Sequence, residues 1–214
     1  MQPEDTKHLE ALNEIRTMMR KSSRFLSLSG LSGIFAGIYA LSGYAIAVWY
    51  IRNRLTGLRS AIYESAEPFT LEVFGFFILD AILILGLSLL TAYYFSSRKA
   101  KKNNLKLLDY TAWRLFWQMA VPLTTGGILS LALLLNMHLA FIAPTMLCFY
   151  GVALFSASKL TYDDVKYLGI AQILLGIVSA FDLGNGLFYW AIGFGLFHVI
   201  YGTVMWFKYE RNVE

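Results

Sequence analysis

Apolar residues along this chain do not alternate with polar ones. They gather in six long runs separated by short polar stretches. The runs cover about 25–51, 73–95, 113–135, 139–158, 162–181 and 187–207. About 20 apolar residues in a helix, at 1.5 Å per residue, cross the ~30 Å hydrocarbon core of a bilayer. The pattern therefore predicts an all-α fold, a polytopic membrane protein built as a six-transmembrane-helix bundle over 25–208. A separate cytoplasmic helix over 1–24 precedes it and a short tail over 209–214 follows. In residues 3–24, Leu9, Leu12, Ile15 and Met19 recur at helical spacing with charges on the opposite face. That spacing predicts an amphipathic helix on the membrane surface. Leu55, Leu58 and Ile62 predict a second, short interfacial helix between the first two spans.

Composition sharpens this reading. Hydrophobic residues make up 57% of the chain and charged residues 15%, where a soluble domain carries about 25% charged residues. The mean hydropathy of +0.54 is too high for a surface facing water on all sides. Charge placement sets the orientation. Of the 18 Lys and Arg residues, three (Arg52, Arg54 and Arg59) fall in segments on one side, leaving fifteen on the other. Basic residues concentrate in cytoplasmic loops, so both termini are predicted to be cytoplasmic. Arg16, Arg20, Lys21 and Arg24 are expected to meet anionic headgroups, at about 1 kcal/mol each. Because the basic residues flank apolar runs, the net charge of +4 does not point to nucleic acid. The single cysteine, Cys148, excludes an intrachain disulfide and a cysteine-based zinc site. The first 24 residues are charged and no small-residue cleavage site follows the first apolar run, which argues against a cleaved signal peptide.

Against this background Asp80 stands out, in the run "FGFFILDAILILGL". It lies about seven residues into the second span, ~10 Å deep at the helical rise. A carboxylate at mid-membrane costs roughly 2.5 to 3.5 kcal/mol. The apolar residues around it repay that cost, so the helix still inserts. Asp80 is expected to face the bundle interior and to meet a polar partner such as His198, Gln118 or Gln172. Its replacement by Leu would then leave the partner unpaired, at roughly 1 to 3 kcal/mol. These four residues are the candidates for a ligand or proton pathway. A His–carboxylate pair could relay a proton, but two ligands are too few for a metal site. Gly30, Gly33 and Gly37 give the first span a small-residue face for close helix contact, within the chain or with a second copy. Thr161-Tyr-Asp-Asp164 has the form of a capping box opening the fifth span. Pro122 and Pro144 are candidate kinks. No P-loop, zinc-protease or nucleophile-elbow motif occurs, and neither a catalytic residue, a metal nor a cofactor is called for.

The stretches "FLSLSGLSGIFAGIYALSGY", "YGVALFSASKLTYDDVKYLGIAQILLG" and "GFGLFHVIYGTVMWFKYE" resemble a family of small six-helix bacterial integral membrane proteins without an assigned activity. The resemblance covers nearly the whole chain. It implies a bacterial inner (plasma) membrane location and transfers no catalytic residue. The favoured expectation is a non-enzymatic membrane protein. Its partners would be the bilayer, a lipid or small amphipathic ligand within the bundle, or a protein, a second copy of the chain included. A small proton-coupled transporter using Asp80 and His198 is the alternative, and an intramembrane lipid-modifying enzyme the second.

Overall fold

The computed structural model describes residues 25–61, 71–102 and 109–211. The predicted helix over 1–24, with Arg16, Arg20, Lys21 and Arg24, lies outside the described residues, as does the tail beyond Arg211. Among the described residues there are helices and no strands. They comprise α1 (Gly30–Ala61), α2 (Leu71–Lys102), α3 (Tyr110–Leu135), α4 (Ile142–Ala157) and α5 (Asp164–Phe181). A final rod, Leu183–Tyr209, contains α6 (Gly186–Trp190), a π-helical segment (Ala191–Phe197) and α7 (His198–Tyr209). Six of these units are long and apolar enough to cross a membrane.

The helices run up and down between two ends. The basal end carries the start of α1, the end of α2, the α4–α5 turn and the end of α7. The distal end carries the α3–α4 turn and the α5–α6 turn. Closest packing joins α4 to α5 and α1 to the final rod, while α2 packs chiefly on α1 and α3 chiefly on α4. Around the bundle the order is therefore α2, α1, the final rod, α5 with α4, and α3. The buried core sits towards the basal end, where Leu154, Tyr162, Val165, Leu168 and Met205 pack together. A second buried group joins Leu115, Ala157 and Leu160.

Two glycine contacts set these distances. A Cβ on Gly202 of α7 would lie 2.5 Å from the Ile34 amide nitrogen and 2.6 Å from the Gly30 carbonyl oxygen. The face formed by Gly30, Gly33 and Gly37 is thus filled from within the chain, by the final rod. At the α4–α5 contact a Cβ on Gly151 would lie 2.7 Å from the Gly169 carbonyl oxygen.

The first helix begins at Gly30, five residues after the apolar run begins. Residues 25–29 are non-helical because their backbone groups are bonded elsewhere. The Phe25 amide donates to the Leu160 carbonyl at 2.7 Å. The Phe25 carbonyl accepts from Thr161 Oγ1 at 2.8 Å and the Leu26 carbonyl from Tyr162 OH at 2.7 Å. Thr161 is not the capping residue of α5: that helix begins at Asp164, its N-cap position is Asp163, and no side chain caps it. At its far end α1 continues to Ala61, so Leu55 and Leu58 belong to the same helical backbone.

The α3–α4 turn closes α3 with a Schellman arrangement. The His138 amide donates to the Leu133 carbonyl at 2.8 Å and the Met137 amide to the Leu134 carbonyl at 3.1 Å. Met137 takes the left-handed position, φ 61°, usually given to glycine. Pro144 falls in the first turn of α4, where a missing amide removes no helical hydrogen bond. Pro122 lies inside α3.

Candidate functional site

Since α2 leans on α1 and α3 on α4, a lateral groove lies between α2 and α3 in the distal half. It encloses a cavity of about 690 Å³. Phe74, Phe77, Asp80 and Ile84 of α2 form one wall, and Ser130, Leu131 and Leu134 of α3 the other. Tyr44, Ala47, Met146 and Trp190 close the back. Leu139 and Leu183 lie in the turns at its distal rim.

Asp80 is half-buried in this groove. It sits beside Gly43 of α1, where a Cβ would come within 3.1 Å of its Oδ1. No hydrogen bond or ion pair joins it to any described residue. Across the groove, Ser130 Oγ is buried and has no hydrogen-bond partner among the described residues. Neither Lys nor Arg occurs among the described residues lining the groove.

His198, Gln172 and Gln118 do not line it. His198 is buried at the junction of the π-helical segment and α7. Its Nδ1 lies 2.9 Å from the Gly193 carbonyl and its Nε2 lies 2.7 Å from Tyr150 OH. A carbonyl only accepts, so Nδ1 carries the proton. In the neutral ring Nε2 then accepts from the Tyr150 hydroxyl. The fully buried Gln172 donates from Nε2 to the same Gly193 carbonyl at 2.8 Å. A single π-helical carbonyl thus collects two side chains, and widened helical turns of this kind free such groups. Gln172 Oε1, Ser179 Oγ and Tyr201 OH, also within α5 and α7, are buried without partners among the described residues, as is Gln118 Oε1 on α3.

A third polar group ties the basal end. The Glu210 carboxylate accepts from the Gly30 amide at 2.7 Å and from Ser29 Oγ at 3.1 Å. It thereby places a negative charge at the positive end of α1. Lys99 Nζ reaches Glu210 at 3.0 Å, the Leu28 carbonyl at 2.7 Å and Tyr162 OH at 3.2 Å. Beside it Asp164 accepts from Lys208 at 2.8 Å and from Tyr209 OH at 2.6 Å.

Asp80 and His198 are therefore held in separate surroundings, one open to the groove and one satisfied in the α4–α5–α7 core. Sequence reasoning singled out both. It gave Ser130, Tyr150, Lys99 and Glu210 no site role. Lys99 had a signal, as one of a run of basic residues, but only as an orientation marker. Ser130 had none, being an ordinary residue of an apolar helix. Comparison with protein-family models, curated proteins and solved structures finds no match.

Proposed function

We propose that this chain is an integral membrane protein, both termini cytoplasmic, whose α2–α3 groove binds a small amphipathic ligand from the bilayer. The basal end is then cytoplasmic and the groove lies in the outer half. The membrane reading draws on the apolar surface. None of the most apolar stretch of α2 is buried in the bundle. Leu79, Ile82, Leu85, Leu89 and Leu90 are each at least 58% exposed, and clustered apolar exposure of this kind marks a membrane or interaction surface. The bacterial inner membrane implied by the resemblance belongs to the same proposal.

The single observation that carries the ligand reading is the groove itself. Its volume falls within the roughly 300 to 1,000 Å³ of small-molecule sites. Its walls are mostly apolar with a few polar groups, the usual make-up of such sites. Its mouth, between two helices that each lean on a different neighbour, faces sideways into the hydrocarbon. Proton-coupled transport through Asp80 and His198 draws less support, because both ring nitrogens of His198 are engaged away from the groove.

The test is native mass spectrometry of the full chain released from its own membrane, beside Ala81→Phe and Ser130→Phe, which fill the groove from opposite walls. The wild type is expected to retain a small hydrophobic molecule and both variants to lose it. Equal retention by variants that keep wild-type thermal stability would overturn the assignment.

A further inference from the structure

The groove pairs an unpartnered carboxylate with aromatic walls. That combination narrows the class of ligand.

An unpaired carboxylate in an apolar wall is costly, because no nearby group compensates its lost hydration. The described residues give Asp80 no cation: Lys and Arg are absent from the lining, and the polar neighbours available are hydroxyls such as Ser130. An arriving cation would supply the missing charge. A small inorganic ion suits the site poorly. Hard cations take six or more oxygen ligands, and the described residues hold no cluster of three or more metal-ligating carboxylates, histidines or cysteines. An alkylated ammonium sheds water more easily and is attracted to the faces of aromatic rings. Tyr44, Phe74, Phe77 and Trp190 line this groove. An anionic or phosphate-bearing head would meet the Asp80 charge with no Lys or Arg among the described lining residues to offset it. Asp80 also lies nine residues, about two and a half turns, beyond the start of α2. A ligand reaching it must place its charged head below the helix ends.

We infer that the groove selects lipophilic organic cations: single-charge alkyl ammonium amphiphiles whose head sits at Asp80 and whose chain lies along α2 and α3. The occupant is not a bilayer phospholipid, since the phosphate of such a lipid would travel with its ammonium. This inference rests on the groove being a ligand site at all, and the experiment separates the two claims.

The full chain in lipid nanodiscs is titrated with three probes of equal chain length: tetradecyltrimethylammonium, tetradecylphosphocholine and tetradecyl maltoside. Wild type is compared with Asp80→Asn, Asp80→Ser and the groove-filling Ala81→Phe and Ser130→Phe. The expected result is a loss of about tenfold or more in trimethylammonium affinity for both Asp80 variants, the scale of one desolvated charge contact. Maltoside binding should stay unchanged in those variants, and the groove-filling variants should weaken both probes. Unchanged trimethylammonium binding in the Asp80 variants, with both probes weakened by groove filling, overturns the cation inference and leaves the groove reading standing. If groove filling affects neither probe, both claims fall. Phosphocholine binding that depends on Asp80 as strongly as trimethylammonium binding makes the occupant a phospholipid head and overturns the single-charge assignment. An equal loss of all three probes in the Asp80 variants also overturns it, since Asp80 would then only shape the cavity.

Discussion

Asp80 was conspicuous in the sequence because one charge interrupts thirteen apolar or glycine residues. It was expected to face the bundle interior; it lies against α1 and lines the lateral groove between α2 and α3 instead. Its partner was not legible. The sequence-based expectation paired it with His198, Gln118 or Gln172, all polar positions of other spans. Spacing along a helix fixes which face a residue occupies, but the neighbour on that face depends on the order of helices around the bundle. Here α1 stands beside Asp80, with Gly43 at the point of contact. The energetic consequence reverses the earlier expectation. With no partner to strand, Asp80→Leu should be as stable as the wild type or more stable by up to about 2 kcal/mol, as when a functional polar group is exchanged for an apolar one. Thermal unfolding in detergent measures this. A loss above 1 kcal/mol would mean that Asp80 has a structural partner.

At the scale of elements, the six helices were legible because each needs only a run of apolar residues, and the runs are long. The ends were less so. Phe25 to Ser29 continue the apolar pattern of α1, yet they leave the helix to bond with residues 160–162, more than 130 positions away. No local pattern records such a contact. Glu210 likewise reads as a tail charge, yet it caps α1 from the opposite end of the described chain. Lys99 and Glu210 are only 12% and 15% exposed, so their pairing differs from a solvated surface bridge. Glu210→Ala is expected to cost about 2 to 3 kcal/mol, since it frees the Gly30 amide and leaves Lys99 partly unpaired. A cycle with Lys99→Met should give a coupling of about 1 kcal/mol or more, and a coupling near zero would reduce the pair to a surface contact. The α1–α7 crossing makes a second test. Gly202→Val puts a branched side chain against backbone atoms of Gly30 and Ile34, for an expected loss of about 1 to 3 kcal/mol. Gly127, where a Cβ meets nothing within 4 Å, is the control: Gly127→Ala should be neutral or stabilising.

On the scale of the whole molecule, the account places one end of the bundle in the cytoplasm and the groove in the opposite leaflet. The fifteen-to-three division of basic residues carries that orientation. Reporter fusions after Lys102 and at Glu214 should read cytoplasmic, and a fusion at Gly184 should read external. A cytoplasmic reading at Gly184 would contradict the topology. Run length made the six long apolar helices legible in the sequence, while the proposed orientation rests on the charge division alone. The sequence could not disclose the groove, which exists because α2 and α3 lean on different neighbours.

That groove is the central claim, and site-mapped photolabelling in the membrane tests it most directly. An alkyl ammonium probe bearing a diazirine on its chain is reacted with the full protein in proteoliposomes, and the modified residues are located by peptide mapping. The account predicts label at Ala81, Ser130, Leu134 and Met146 that an excess of unlabelled tetradecyltrimethylammonium removes. Label at the exposed Leu89 and Leu90 should resist that competition. Uniform labelling of the exposed helix faces, with no competable label between α2 and α3, would contradict it.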